Sequence, residues 1–86
     1  MTDTTLERVS RIVARTAGLP ADAPLDRNTG LVLTGLALDS AAVLELLLAL
    51  EHDFDVPLDA QALLQAEALR TLGALADFVD SARSGG

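Results

Sequence analysis

An apolar stripe at helical spacing is the feature of this 86-residue chain that most constrains its fold. The positions i, i+3, i+4, i+7 and i+11 are Val43, Leu46, Leu47, Leu50 and Phe54. This spacing is typical of a helix that buries one face. Asp39 and Ser40 stand directly before the stripe, and both are residue types that favour the N-cap of a helix. The stripe therefore predicts an amphipathic helix that starts near residue 40.

Three further segments also favour helices. Thr4 and Glu7 have the spacing of a capping box, and apolar residues then recur to Ala17, so a first helix is predicted over about residues 5–17. Arg8, Arg11 and Arg15 follow its other side and are expected to form a solvated face. A short helix is predicted near residues 60–65. A last helix is predicted after Thr71, with four inward-facing residues: Leu72, Leu75, Ala76 and Val79.

Residues 18–38 lack a persistent period and contain several Pro and Gly residues, which predicts a long ordered loop. Its apolar residues are expected to pin it against the helices; they are Leu25, Leu31, Val32, Leu33, Leu36 and Leu38. Leu and Ala fill 33 of the 86 positions, and this composition favours an all-α bundle. We expect one domain over residues 1–86, with a frayed tail at about residues 84–86.

The charge of the chain argues against nucleic acid as a partner. The formal net charge is −7, with no Lys, and this field opposes binding to a phosphate backbone. Residues 38–80 hold nine acids and one Arg, which implies basic protein partners. The sequence shows no signal peptide and no apolar stretch long enough to span a membrane, so a cytoplasmic protein with no membrane contact is expected.

The inventory of groups for catalysis is small. The chain has no Cys and no Lys, and its one His, His52, is about 18 Å from Ser40 along the predicted helix. Asp53, Asp55 and Asp59 imitate part of a calcium loop, but Leu58 stands where that turn needs Gly, so a solvated acidic turn is the better interpretation. The C-terminal Gly-Gly is similar to the end of ubiquitin-like modifiers, but the helical period disagrees with their β-rich body. No catalytic residue and no metal ligand are predicted.

Ser40 is the position that stands out. A hydroxyl at a helix start lies near free backbone N–H groups and the positive end of the helix dipole, which together favour an attached phosphate. Capping of the helix alone would explain this serine equally well.

Ser40 is part of a larger sequence pattern. The pattern has three blocks: GLALDS at residues 35–40, ELLLALEHDFDV at 45–56 and TLGALADFV at 71–79. In their order and spacing they resemble the acyl carrier protein family, and with the first helix the resemblance covers nearly the whole chain. It implies a four-helix bundle with a long loop after helix 1 and a short third helix. It also implies that Ser40 receives 4′-phosphopantetheine from coenzyme A and that Asp39 matches the acid before this serine.

The resemblance also implies a docking surface on the second helix. Its expected members are Ala41, Leu44, Glu45, Leu48 and Glu51. Leu44 and Leu48 would supply apolar contact area, and the carboxylates, with Asp39 and Asp53, would steer toward basic partners. Alternatively, the loop over residues 18–38 covers the two leucines.

A carrier of this kind implies partners rather than catalysis: a phosphopantetheinyl transferase, an acyl-loading enzyme, and a ketosynthase or acyltransferase. We expect a monomeric, free-standing acyl carrier of a polyketide or related specialised pathway, or of fatty acid biosynthesis. Relatives usually have Leu or Met after the serine, whereas this chain has Ala41, which favours dedicated partner enzymes. An aminoacyl or peptidyl carrier of a nonribosomal pathway is the alternative within the family. A plain helical interaction module, in which Ser40 is only a cap, is the alternative outside it.

Overall fold

The computed structural model describes residues 4–20, 22–32 and 35–84. Over these residues the chain forms four α-helices: α1 is Thr5–Thr16, α2 is Ser40–Phe54, α3 is Ala60–Gln65 and α4 is Leu72–Ser84. The described ranges contain no β-strand, only an isolated antiparallel bridge between Gly30 and Thr71. The predicted all-α bundle with a long first loop and a short third helix is therefore confirmed.

The helix ends follow from local capping. The Thr4 side chain accepts a 3.1 Å hydrogen bond from the backbone N–H of Glu7, as the predicted capping box requires. α1 ends at Thr16 with Ala17 as its C-cap, one residue earlier than predicted. α3 begins after Asp59, whose carboxylate accepts the N–H of Gln61 at 3.1 Å. Each helix start thus has a side chain or a backbone turn that binds its first free N–H groups.

The core lies where α1 packs against α2 and α4. The apolar stripe of α2 is buried from Leu46 to Phe54, as predicted, and Val43 is half-buried at its edge. The four inward residues predicted for α4 are all buried as well. The remaining buried core residues come from α1, the first loop and the α3 region: Val9, Ile12, Val13, Ala14, Leu31, Leu63, Ala68 and Leu69. Burial of one face of each long helix holds the bundle together.

The first loop is fastened to the start of α4. Leu31 is fully buried, and its N–H donates to the carbonyl of Arg70 at 3.3 Å. The N–H of Leu72 donates to Thr29 and the N–H of Gly73 donates to Arg27, each at 2.9 Å. The prediction of a pinned loop is confirmed for Leu31, and four other loop residues pack half-buried against the core: Leu25, Val32, Leu36 and Leu38. Leu33 lies outside the described residues.

The expected solvated face of α1 is wrong for Arg8. Its guanidinium donates to the Asp53 carboxylate at 2.9 Å and to the Asp53 carbonyl at 3.0 Å. The guanidinium carbon also lies 4.1 Å from the centroid of the Phe54 ring, a cation–π contact. Sequence spacing placed Arg8 away from the apolar stripe of α1, but the end of α2 passes beside it. Arg11 and Arg15 are exposed.

The expected tail falls on Ser84, which is the last residue of α4, and on Gly85 and Gly86, which lie outside the described residues. Within the part of the chain that the structure describes, no helix is both long enough and apolar enough to cross a membrane.

Candidate functional site

Two adjacent polar residues, Asp39 and Ser40, occupy different positions at the start of α2. Asp39 has an extended backbone, with φ −88° and ψ 179°, and is the N-cap. Its carboxylate oxygen Oδ1 accepts the N–H of Ala42 at 2.8 Å. Ser40 is the first residue of the helix itself. Of the two residues that could have capped α2, Asp39 does so, and the interpretation of Ser40 as the cap is wrong.

The Ser40 side chain is left without a structural role. Ser40 is exposed, and its hydroxyl has no hydrogen-bond partner among the residues that the structure describes. The N–H groups of Ser40 and Ala41 have no acceptor within the helix, because the first turn of an α-helix provides none. Free N–H groups and the positive end of the helix dipole favour a phosphate group at this place. The hydroxyl is therefore both accessible and surrounded by groups that suit an attached phosphate.

The first loop sets the position of this helix start. The N–H of Leu38 donates to the carbonyl of Leu31 at 2.7 Å, and Leu31 is anchored in the core. The turn between them needs Gly35, whose φ is +64° and whose missing Cβ would lie 2.4 Å from the carbonyl oxygen of Gly30. The buried Leu31 and the tight turn at Gly35 thus hold Asp39 and Ser40 in place at the start of α2.

An apolar groove of about 730 Å³ opens beside Ser40, between α2 and α3. Its walls carry Val43 and Leu47 from α2 and Leu63 from α3. Leu44 and Leu64 stand at its outer side, with 60% and 64% of their surface exposed. The free hydroxyl of Ser40 is therefore next to a largely apolar surface, to which the first loop contributes Val32 and Leu38 besides the residues of α2 and α3.

The residues predicted to form a docking surface lie on the outer face of α2. Leu44 and Leu48 are 60% and 66% exposed, so the alternative that the first loop covers them is wrong. Ala41 and Glu45 are exposed beside them. Glu51 differs from the rest, because it is half-buried and its carboxylate accepts the N–H of Leu58 at 2.9 Å. Glu51 thus stabilises the turn after α2 as well as bordering the outer face.

The acidic turn after α2 does not gather ligands for a metal ion. Asp53 pairs with Arg8, and Asp59 caps α3. Asp55 is the C-cap of α2, with a left-handed φ of 54°. No group of three or more side chains suited to a metal lies together within the described ranges. His52 is exposed, as the sequence predicts.

Leu64 is an exposed residue that the apolar periods of the sequence did not predict. It lies in the six-residue helix α3, next to the fully buried Leu63. Adjacent residues of a helix point about 100° apart, so a short helix that packs with one face against the core buries only one of two neighbouring leucines. The pair Leu63-Leu64 in the sequence was therefore a signal that one of them would face solvent.

Comparison with known proteins identifies the family. The family described as "Phosphopantetheine attachment site" matches residues 7–79 of the chain. The chain belongs to this family. The match runs from the first turn of α1 to the last turns of α4, so it includes all four helices and the free hydroxyl at the start of α2. Comparison with curated proteins gave no match.

The protein is thus a phosphopantetheine carrier with the all-α fold of acyl carrier proteins. Such domains hold a covalently attached 4′-phosphopantetheine, are generally non-catalytic, and work with a phosphopantetheinyl transferase and with biosynthetic enzymes. The exposed hydroxyl of Ser40 and the free N–H groups around it fit one phosphodiester. Family membership favours the carrier over the plain interaction module.

Proposed function

We propose that Ser40 is the attachment site of the phosphopantetheine group and that the protein carries acyl groups between biosynthetic enzymes. The observation that supports this most directly is the division of roles at the start of α2. Asp39 provides the cap, so the exposed hydroxyl of Ser40 can be modified without loss of a helix-stabilising hydrogen bond. A serine that capped the helix would be tied to a backbone N–H.

In the attachment step, the Ser40 oxygen forms a bond to the phosphorus that bears the pantetheine of coenzyme A. The phosphoanhydride bond breaks, adenosine 3′,5′-bisphosphate leaves, and the serine proton passes to a base on the transferase. The bound group supplies a terminal thiol, which holds an acyl group as a thioester. Ser40 then serves as a fixed anchor, because the first loop holds the helix start in place.

The sequence before the serine favours an acyl carrier over an aminoacyl or peptidyl carrier. Leu38-Asp39-Ser40 resembles the acyl type. Carriers of nonribosomal pathways usually have Gly-Gly-His-Ser or Gly-Gly-Asp-Ser at this place. We propose a polyketide or related specialised pathway. The partners are an acyl-loading enzyme and a ketosynthase or acyltransferase, which dock on the outer face of α2 at Ala41, Leu44, Glu45, Leu48 and Glu51.

The experiment that tests the attachment uses intact-mass measurement. The protein is incubated with coenzyme A and a broad-specificity phosphopantetheinyl transferase. We expect wild type to gain one phosphopantetheine and Ser40→Ala to gain none. Ser81→Ala, which removes an exposed serine from α4, is the matched control and should gain one. An equal gain in wild type and Ser40→Ala would overturn the proposal.

Loading of the modified protein tests the class of cargo. Holo protein is offered to acyl-activating enzymes and to adenylating enzymes for amino acids, and thioester formation is followed by mass. Loading by the first group supports the acyl carrier. Selective loading by amino-acid-activating enzymes would establish the aminoacyl alternative.

A further inference from the structure

We propose that the chain is protected against acylation by its own cargo, because no side-chain amine, thiol or imidazole lies on the described surface around Ser40. The carrier therefore suits acyl groups that react readily with amines. This inference rests on the proposed attachment at Ser40 and names a class of cargo for it. A thioester is consumed when a nucleophile of the same molecule attacks its carbonyl carbon, so a carrier of reactive acyl groups must keep such nucleophiles away.

The positive charges of the chain are all carried by arginine. The six basic residues other than His52 are arginines, and the chain has neither Lys nor Cys. An arginine guanidinium is not deprotonated in proteins, so it supplies positive charge without a free electron pair for attack. A lysine at the same place would supply a primary amine, whose neutral form attacks carbonyl groups. Hydroxyl groups are weak nucleophiles without an adjacent base, which leaves His52 as the one strong side-chain nucleophile.

The groove beside Ser40 offers no group that would attack a thioester. Apart from Asp39 and Ser40, every described residue that lines it is Val, Leu or Ala. The Asp39 carboxylate accepts the N–H of Ala42 at 2.8 Å and is thus engaged in the cap of α2. The surface onto which the Ser40 side opens is therefore hydrocarbon.

His52 lies on a different side of α2. It lines a separate groove between α1 and α2, together with Arg15 and Glu45. No described residue lines both this groove and the one beside Ser40. His52 follows Ser40 by twelve residues, which places it about 18 Å along the helix axis and about 120° around it. Leu44, by comparison, is about 6 Å along the axis and about 40° around it, so position 44 faces the Ser40 side and position 52 does not.

This arrangement matters for some acyl groups more than for others. A saturated acyl thioester reacts slowly with amines, so a carrier of such cargo gains little from the exclusion of nucleophiles. An acyl group with an electron-withdrawing substituent has a more electrophilic carbonyl carbon, and a nearby amine would convert its thioester to an amide. In that reaction the nitrogen bonds to the carbonyl carbon, the C–S bond breaks, and the amine proton passes to the departing thiolate. The exclusion of nucleophiles therefore favours cargo of the second kind.

The test introduces one amine beside Ser40 in the whole chain. Leu44→Lys places it at a position that lines the groove and is 60% exposed, so the fold should be retained, which far-UV circular dichroism checks. Leu44→Arg adds the same charge without a nucleophile and is the matched control. His52→Gln removes the imidazole. A broad-specificity transferase loads each protein at Ser40 from acetoacetyl-coenzyme A, a reactive acyl donor, or from butyryl-coenzyme A, a saturated one.

Intact mass and maleimide labelling follow the loaded proteins at about pH 9, where roughly 4% of an ordinary lysine amine is neutral. Since the chain has no Cys, a thiol that reacts with N-ethylmaleimide can only be that of the bound group. Hydrolysis removes the acyl mass and exposes this thiol. Transfer to an amine exposes the thiol but retains the acyl mass. The two routes of thioester loss are therefore distinguished in one spectrum.

We expect wild type and Leu44→Arg to lose the acetoacetyl group by hydrolysis alone, within about twofold of the rate for acetoacetyl-coenzyme A in the same buffer. Leu44→Lys should lose the thioester at least about fivefold faster and retain the acyl mass, because a tethered amine acts at a millimolar effective concentration or above. His52→Gln should match wild type, since the imidazole lies on another side of α2. The butyryl group should show a smaller difference between Leu44→Lys and Leu44→Arg.

Four outcomes would overturn the inference while leaving the attachment at Ser40 intact. Retention of the acyl mass with a free thiol in wild type would show that a nucleophile of the chain reaches the thioester. A longer lifetime in His52→Gln would show that the imidazole reaches it. Equal lifetimes in Leu44→Lys and Leu44→Arg would show that an amine beside Ser40 does no harm. Equal effects on acetoacetyl and butyryl would remove the link to reactive cargo.

Failure of the proposed function itself gives a different result. With coenzyme A as the donor, wild type would then gain no phosphopantetheine on Ser40, and none of the lifetimes could be measured.

Discussion

The Asp39 carboxylate accepts the backbone N–H of Ala42 at 2.8 Å, and through this bond the cap of α2 is made by the residue before Ser40. Ser40 consequently occupies the first helical position with an exposed hydroxyl that no described residue binds. Asp39 thus stabilises the start of the helix, and the hydroxyl of the adjacent Ser40 is available for chemistry.

This division predicts the effect of removing the cap. Asp39→Ala should lower the free energy of unfolding by about 1 kcal/mol, the usual cost of a lost N-cap. Asp39→Asn keeps a side-chain oxygen acceptor and should lie within about 0.5 kcal/mol of wild type. Urea unfolding followed by circular dichroism measures both. Equal stability of Asp39→Ala and wild type would show that the carboxylate does not hold the start of α2.

Two glycines of the first loop, Gly35 and Gly18, should differ in the loss of stability that an alanine causes. Gly35→Ala places a Cβ 2.4 Å from the Gly30 carbonyl oxygen and forces a non-glycine residue to a φ of +64°. Gly18→Ala meets a similar φ of +78° with nothing within 4 Å, so it is the matched control. Gly18→Ala should cost about 1 kcal/mol for the left-handed backbone alone. Gly35→Ala should cost clearly more in thermal or urea unfolding; equal costs would mean that the close approach to Gly30 does not matter.

We expect a small coupling energy between the side chains of Arg8 and Asp53. The two side chains are 30% and 42% exposed, so solvent screens their attraction. A double-mutant cycle with Arg8→Met and Asp53→Asn should give a coupling energy of about 0.5 kcal/mol, reduced by salt. Arg8→Met alone should also lose the contact with the Phe54 ring, worth about 0.5–1 kcal/mol. A coupling energy of zero at low salt would show that the pair contributes nothing to stability.

The loop anchor predicts a large effect on stability from a residue outside the helices. Leu31 is fully buried, so Leu31→Ala should lower the free energy of unfolding by about 2–5 kcal/mol. Leu44→Ala removes the same atoms from a side chain that is 60% exposed and is the control, with an expected change below about 0.5 kcal/mol. Similar losses in the two variants would contradict the anchoring of the loop.

All four helices of the described residues could be predicted from the sequence, because each has a local start signal and the three longer helices also have their own apolar period. Thr4, Asp39 and Asp59 stand one residue before α1, α2 and α3, and each is a residue type that favours the N-cap. The start of α4 after Thr71 could be predicted in the same way. Capping residues in the sequence indicate helix starts in the folded protein, because the N–H groups of the first turn need acceptors in any tertiary context.

Contacts between distant segments could not be predicted in this way. Arg8 and Asp53 are 45 positions apart, and nothing in their own segments indicates that they meet. The bond from Leu58 to Glu51 depends on how the chain turns after α2. The choice between Asp39 and Ser40 as the cap was also open, because both residue types suit that position and only the path of the first loop decides between them.

Peptide mapping of the modified protein tests the central claim most directly. The chain has no Lys, so trypsin cleaves after Arg27 and Arg70 and releases residues 28–70, in which Ser40 is the one serine. After incubation with coenzyme A and a phosphopantetheinyl transferase, tandem mass spectrometry should find one phosphopantetheine in this peptide, on Ser40. Modification confined to another peptide, or to a threonine of this one, would contradict the account.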